Sequence, residues 1–373
     1  MEIPTLLLKD YYYICSIMKK NIVFAAICCA VMIMALSACT GKAPATLRYR
    51  FASQEEGQQL KLASTAYFDA LTQNDIDWKL MTTGKTLDEF KAVAVEQIEE
   101  FTPEEKKAMS SVLDFISDRA RELGFRLPID KEIVFVKSKM GDEAGMGGYT
   151  IGNVVFYNDY ESEGLAKSFE ADSDYDADYR EYVLLFSRAL LAHEIFHCIT
   201  RNNPQFRQLL YNVFGFTVMD RELEFGPTVK DLLMHNPDVE HYDNWAEFTI
   251  DGQKKRCALI SVYCGTYADA VATNPKAHFF DLMHNVLVPL DEPDTMIPIE
   301  EVPDFYDVIG RNTDYILSPE EFIADNFSYL IAFGLNGHYD LELENRKVRF
   351  VPYGSPELIR ALHSTLVEHF PAE

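Results

Sequence analysis

The chain has 373 residues, 48% of them hydrophobic and 13% aromatic, which is enough length and apolar content for a sizeable core and argues against disorder. Its 34 Lys+Arg against 59 Asp+Glu give a net charge of −25, which disfavours a broad phosphate-backbone footprint on nucleic acid. Acidity of this size bears on solubility and repulsion from anionic surfaces and leaves the chemistry open.

The first segment sets itself apart. Met18-Lys19-Lys20 is a basic start, 22–36 is apolar, and Leu36-Ser37-Ala38-Cys39 ends the run with small residues before a cysteine. This resembles a bacterial lipoprotein signal peptide, which implies lipidation at Cys39, a membrane anchor and a place in the bacterial cell envelope, at the periplasmic or surface face of the outer membrane. Met18 then reads as the start, with 1–17 an upstream extension. A transmembrane anchor over 22–38 stays open, because that run approaches the minimum spanning length of about 17–20 residues. Without 1–39 the chain keeps 31 basic and 57 acidic residues, a net charge of −26. Of seven cysteines only Cys198, Cys257 and Cys264 then remain, too few for a disulfide framework. Cys257 and Cys264 have an odd spacing that places them on opposite faces of a strand, which favours buried thiols over a pair.

Residues 40–53 read as a tether, 54–128 as a helical N-terminal part and 129–373 as the remainder of one unit. Ser53 and Glu56 fit a capping box, with helical spacing to about Thr72 and again over 86–101. Thr102-Pro103-Glu104-Glu105 opens a further helix, closed by Gly124. The period then changes to two: 133–137 reads as one strand and 149–157 as a second, joined by a glycine-rich loop. Helical spacing returns from Tyr179 through His197 to about Asn203. Asp251-Gly252 predicts a hairpin between 245–250 and 257–263. Ser318-Pro319 and Ser355-Pro356 start two more helices. The fold class expected is α+β, mostly helical with a small mixed sheet.

His193-Glu194-Ile195-Phe196-His197 puts two imidazoles four apart on one helix face, able to share a cation, with Glu194 placed between them as a general base. Two neutral nitrogens and one carboxylate suit Zn2+ better than magnesium or calcium. For the third ligand, His235, His241, His278 and His284 lack the spacing of a histidine continuation, which favours a carboxylate. In Ser318-Pro319-Glu320-Glu321-Phe322-Ile323-Ala324-Asp325, Glu321 and Asp325 share a face at i, i+4, so one can bind metal while the other orients a histidine. Ser318 and Glu321 also fit a capping box, and helical phase does not separate Glu321 from Glu320.

The two motifs together resemble the gluzincin zinc metallopeptidases. The segment from Glu321 to Phe327 is similar to that of the anthrax lethal factor catalytic domain family. The resemblance implies a zincin fold with an edge strand, here 149–157, that binds extended peptide before the metal helix. It implies metal ligands His193, His197 and Glu321, base Glu194, an outer partner Asp325, and an oxyanion-stabilising tyrosine at Tyr315, one residue short of the usual register. It also implies a peptide or protein substrate. His197 and Glu321 lie 124 positions apart, longer than usual, so about 205–310 reads as an inserted hairpin region. Gly147 and Gly148 would allow close backbone approach, or simply form a flexible turn. The rival reading is a non-catalytic envelope lipoprotein binding module that keeps a structural zinc site.

Overall fold

The computed structural model describes residues 47–276, 279, 283–342 and 347–372. The signal segment, Cys39 and 40–46 of the tether lie outside the described residues, as does His278. From Leu47 onward the chain forms one compact unit.

It begins with β1 (Tyr49–Phe51), α1 (Gln54–Leu62), α2 (Thr65–Ala70), α3 (Gln73–Lys79), α4 (Leu87–Glu96), β2 (Ile98–Glu99) and α5 (Pro103–Glu122). The last part of the segment read as a tether is therefore a strand, held by parallel pairing of Tyr49 to Ile133 and Phe51 to Phe135. The helix expected to run to about Thr72 is broken at Ser64, which starts α2, and the next stops at Glu96 so that Ile98 and Glu99 can join the sheet. Thr72, Thr86 and Thr102 each close a reciprocal capping box with the acidic residue three places on, which answers orphan N–H groups at three helix starts.

β3 (Ile133–Ser138), β4 (Gly148–Ile151) and β5 (Val154–Asn158) follow. The sheet order is β1-β3-β5-β4 with β2 also on β3; β3 pairs in parallel with β1 and β5, and β4 is antiparallel to β5. The stretch 149–157 is thus two strands rather than one. Gly152 turns the chain at φ 62°, so Ile151 pairs back onto Val154. β3 is buried along its whole length, as a central strand covered on both faces should be. One face carries Val134, Val136 and Phe156 against α1, where a Cβ on Gly57 would sit 2.7 Å from the Val136 side chain.

α6 (Asp159–Ser168), α7 (Ala177–Asn202) and α8 (Pro204–Val213) lead into β6 (Thr217–Val218), α9 (Pro227–Leu232), β7 (Asn244–Ile250), β8 (Gln253–Tyr263), α10 (Tyr267–Thr273), β9 (Met283–Pro289), β10 (Ile297–Pro298) and α11 (Phe305–Ile309). The region read as an inserted hairpin is a five-stranded antiparallel sheet, β10-β9-β8-β7-β6. The Asp251-Gly252 hairpin is its β7–β8 connection, with both turn residues at positive φ. Cys257 is buried on β8, whereas Cys264, one residue past the strand end, is exposed; both are free thiols.

α12 (Pro319–Phe333), β11 (His338–Glu342), β12 (Lys347–Val351) and α13 (Pro356–His369) complete the unit, which is a mixed α+β structure with a small mixed sheet. The main core lies where α7 (Leu191, Ile195, Ile199) meets α12 (Phe322, Ile323, Phe327) and α5 (Met109, Ile116). Burying each such side chain is worth about 1.5–3 kcal/mol. α7 is long and apolar enough by composition to span a bilayer, yet 72% of that window is buried inside the protein, as befits a core helix.

Candidate metal centre

Burial of the C-terminal half of α7 is what makes its polar residues informative. His193, Glu194 and His197 sit in an otherwise apolar helix stretch, at 8%, 2% and 0% exposure. The helical spacing brings the two imidazoles edge to face, with ring centroids 4.7 Å apart and planes at 79°. Across from them, α12 starts with Ser318 Oγ accepting from the Glu321 N–H at 3.3 Å and with Pro319 in the first turn. That start is itself buried, so Glu320 and Glu321 both point into the protein.

The two glutamates go to different places. Glu321 does not fold back on its own helix cap: its Oε2 lies 3.0 Å from His193 Nε2 and 3.6 Å from His197 Nε2, and its Oε1 accepts from the Asn236 amide. Glu320 turns behind His197 and accepts from Nδ1 at 3.1 Å, from Thr200 Oγ1 at 2.5 Å and from Tyr211 OH at 2.5 Å. Asp325 does for His193 what Glu320 does for His197, with Oδ1 2.9 Å from Nδ1. Thr313 Oγ1 donates to its other oxygen.

These contacts set the protonation of the metal-free group. Burial pulls the His193 imidazolium down, but Asp325 and Glu321 outweigh it and hold the ring well above its ordinary value. His197 is pushed up to about 9, because the carboxylates of Asp238, Glu320 and Glu321 overcome burial. Burial also raises Glu321 and Glu320, yet their histidines bring both below the usual carboxylate range. Glu194 is pushed up to about 8 by burial and by the Asp238 charge.

Among the buried side-chain atoms of the described residues that have no hydrogen-bond partner, two belong to this group: His197 Nε2 and Glu194 Oε2. A buried polar atom without a partner costs free energy unless something else answers it. One ligand atom each from His193, His197 and Glu321 lies within 4.8 Å of the others, so this buried group could hold a metal ion. In a second acidic group, Glu99, Asp159 and Glu163, Lys137 pairs with Glu99 and Glu163, and Lys139 pairs with Glu99. His235 and His241 lie outside the group, paired with Asp75 and Glu222.

Tyr315 borders the same site. Its ring centroid is 6.0 Å from that of His193, and burial with the surrounding carboxylates keeps its hydroxyl well above the ordinary value. Gly148 passes so close to Glu194 that a Cβ there would sit 2.7 Å from Oε1, which favours close approach over a merely flexible turn. A cavity of ≈ 580 Å³ opens beside His193 and Glu194, walled by Tyr182, Leu185, Phe186, Leu190 and Phe333. Sequence reasoning missed Asn236 and Asp238. Asp238 Oδ1 lies 3.9 Å from His197 Nε2, in an Asn-Pro-Asp loop whose composition signals only a turn.

No family model, curated protein or solved structure matches this chain.

Proposed function

We propose that the protein is a zinc-dependent metallopeptidase of the gluzincin kind, held at the bacterial envelope by a lipid on Cys39. The observation that carries this is the convergence of His193 Nε2, His197 Nε2 and a Glu321 oxygen beside the buried, unpartnered Glu194 carboxylate. An edge strand followed in the chain by the histidine helix supports the zincin reading of the fold.

A bound Zn2+ supplies Lewis acidity and a water acidified to a pKa of about 7. Asp325 and Glu320 fix the two rings so that both Nε2 atoms face the centre. Glu194, whose carboxylate a bound cation would hold ionised, would take the proton from the attacking water and hand it to the leaving amine. Tyr315, neutral throughout the physiological range, is a donor at the cavity wall for the developing oxyanion.

The test is zinc content per chain together with cleavage of a mixed peptide library by the native protein and by Glu194→Gln. Stoichiometric zinc and cleavage lost in the variant are expected; zinc without Glu194-dependent cleavage sinks the enzyme reading. That outcome would favour the binding-module alternative, in which Asp238, 3.9 Å from His197 Nε2, would close the metal shell as a fourth ligand.

A further inference from the structure

β4 ends the sheet, but most of its outer edge is already taken. An extended peptide joins such an edge through outward N–H and C=O groups. Here Thr150 N donates to Asp238 Oδ1 at 2.7 Å, and Gly152 N donates to Glu240 Oε1 at 2.9 Å. The loop 237–240 therefore covers the edge from Thr150 onward. It is fixed rather than resting there: Arg201 on α7 donates to Pro237 O at 3.2 Å and Asp238 O at 2.9 Å, and pairs with Glu240 at 3.0 Å. The loop also abuts the metal group itself, because Asn236 donates to Glu321 Oε1. In the other direction, residues 144–148 border the open ≈ 580 Å³ cavity. The cleft is closed on one side of the metal group and open on the other.

We propose that the chain is an exopeptidase that removes the first residue of peptides, with Asp238 receiving the free α-ammonium group. This rests on the metallopeptidase reading. A wall this close to the metal group leaves no run of edge for residues beyond the scissile bond on that side, whereas the apolar cavity takes the residues that follow the bond. Charge decides which chain end meets the wall. Glu194, Asp238, Glu321 and Asp325 line the cavity with no lysine or arginine among its walls, and the Arg201 guanidinium is committed to the loop. Away from His193 and the metal it would hold, an α-carboxylate would meet only like charge, while an α-ammonium finds a partner in Asp238. In the reaction, water oxygen bonds to the carbonyl carbon of residue one and the C–N bond to residue two breaks. One water proton ends on the new amino terminus and the other stays with the released amino acid.

The experiment uses the zinc-loaded full chain and one peptide in two forms, Ala-Phe-Ala-Ala amide with a free and with an acetylated amino terminus. Release of free alanine from the first form, with at least about a tenfold loss of kcat/KM on acetylation, is expected. Asp238→Asn should erase most of that discrimination through KM while keeping its zinc. Equal cleavage of the acetylated form, or cleavage at internal bonds, overturns the exopeptidase inference and leaves the metallopeptidase reading standing. Zinc binding with neither form cleaved overturns both. The native-protein comparison stands even if the Asp238 variant does not fold.

Discussion

Glu320 and Glu321 are adjacent on one helix turn yet serve the two histidines from opposite sides, Glu321 on Nε2 of His193 and Glu320 on Nδ1 of His197. One carboxylate faces the centre and the other holds a ring in place from behind. Glu321→Ala should therefore lose stoichiometric zinc, while Glu320→Ala should keep it with affinity weakened about 10- to 100-fold. A competition titration against a chromophoric chelator separates the two; a zinc-free Glu320 variant beside a zinc-loaded Glu321 variant would reverse the assignment.

Gly148→Ala probes the general base without touching a ligand. The added Cβ would lie 2.7 Å from Glu194 Oε1 and 3.0 Å from its Cδ, so the carboxylate must move. A displacement of this kind costs on the order of 100-fold in kcat. Zinc content and thermal midpoint should stay near native values, and an unchanged kcat would show that Glu194 does not work from this position.

The chelator-treated protein should lose stability as the pH rises. His193 and His197 are held above their unfolded value of about 6.5, His197 at about 9, and Glu194 is raised to about 8 from its unfolded value. Proton binding thus favours the folded chain. The histidine contribution is complete below pH about 6.5 and disappears as the pH passes about 9. Glu320 and Glu321, both lowered, are ionised in either state across that window. Circular-dichroism melts at several pH values should show the thermal midpoint falling in chelator and the fall suppressed by zinc; a flat profile in chelator would refute the protonated-pair description.

Lys61 and Asp142 form an ion pair at 2.6 Å with both side chains at 0% exposure, and Lys61 also donates to the Tyr149 hydroxyl on β4. Lys61→Met alone strands a buried carboxylate and should cost about 3–5 kcal/mol. Lys61→Met with Asp142→Leu should recover most of that loss. Urea unfolding of the two singles and the double closes the cycle, and additive losses would mean that the pair is not coupled.

Much of this centre is legible in the sequence because it sits on helices. The spacing of His193 and His197 and that of Glu321 and Asp325 are one-face relationships that the helical period fixes in advance. Helical phase could not separate Glu320 from Glu321, since at a buried helix start both side chains turn inward and only the partners on α7 and α8 sort them. Asp238 was invisible for another reason: it is positioned by hydrogen bonds to the Thr150 and Arg201 of distant elements, and loop residues carry no periodicity. The break at Gly152 was lost inside an apolar run, and the buried lysines went unnoticed because lysine is ordinarily a surface residue.

The ion pairs beneath the glycine-rich loop also constrain the order of assembly. Lys61 pairs with Asp142, and Lys79 with Glu143 across 64 positions. The first helices therefore leave the ribosome with their ammonium groups hydrated, and they cannot settle until the loop that borders the cavity has been synthesised. Truncation within α1–α3 would leave that loop with two uncompensated buried acids. The N-terminal helices are in this sense a built-in template for the cavity wall, and the metal group itself can close only once Glu321, on the last long helix but one, has been made.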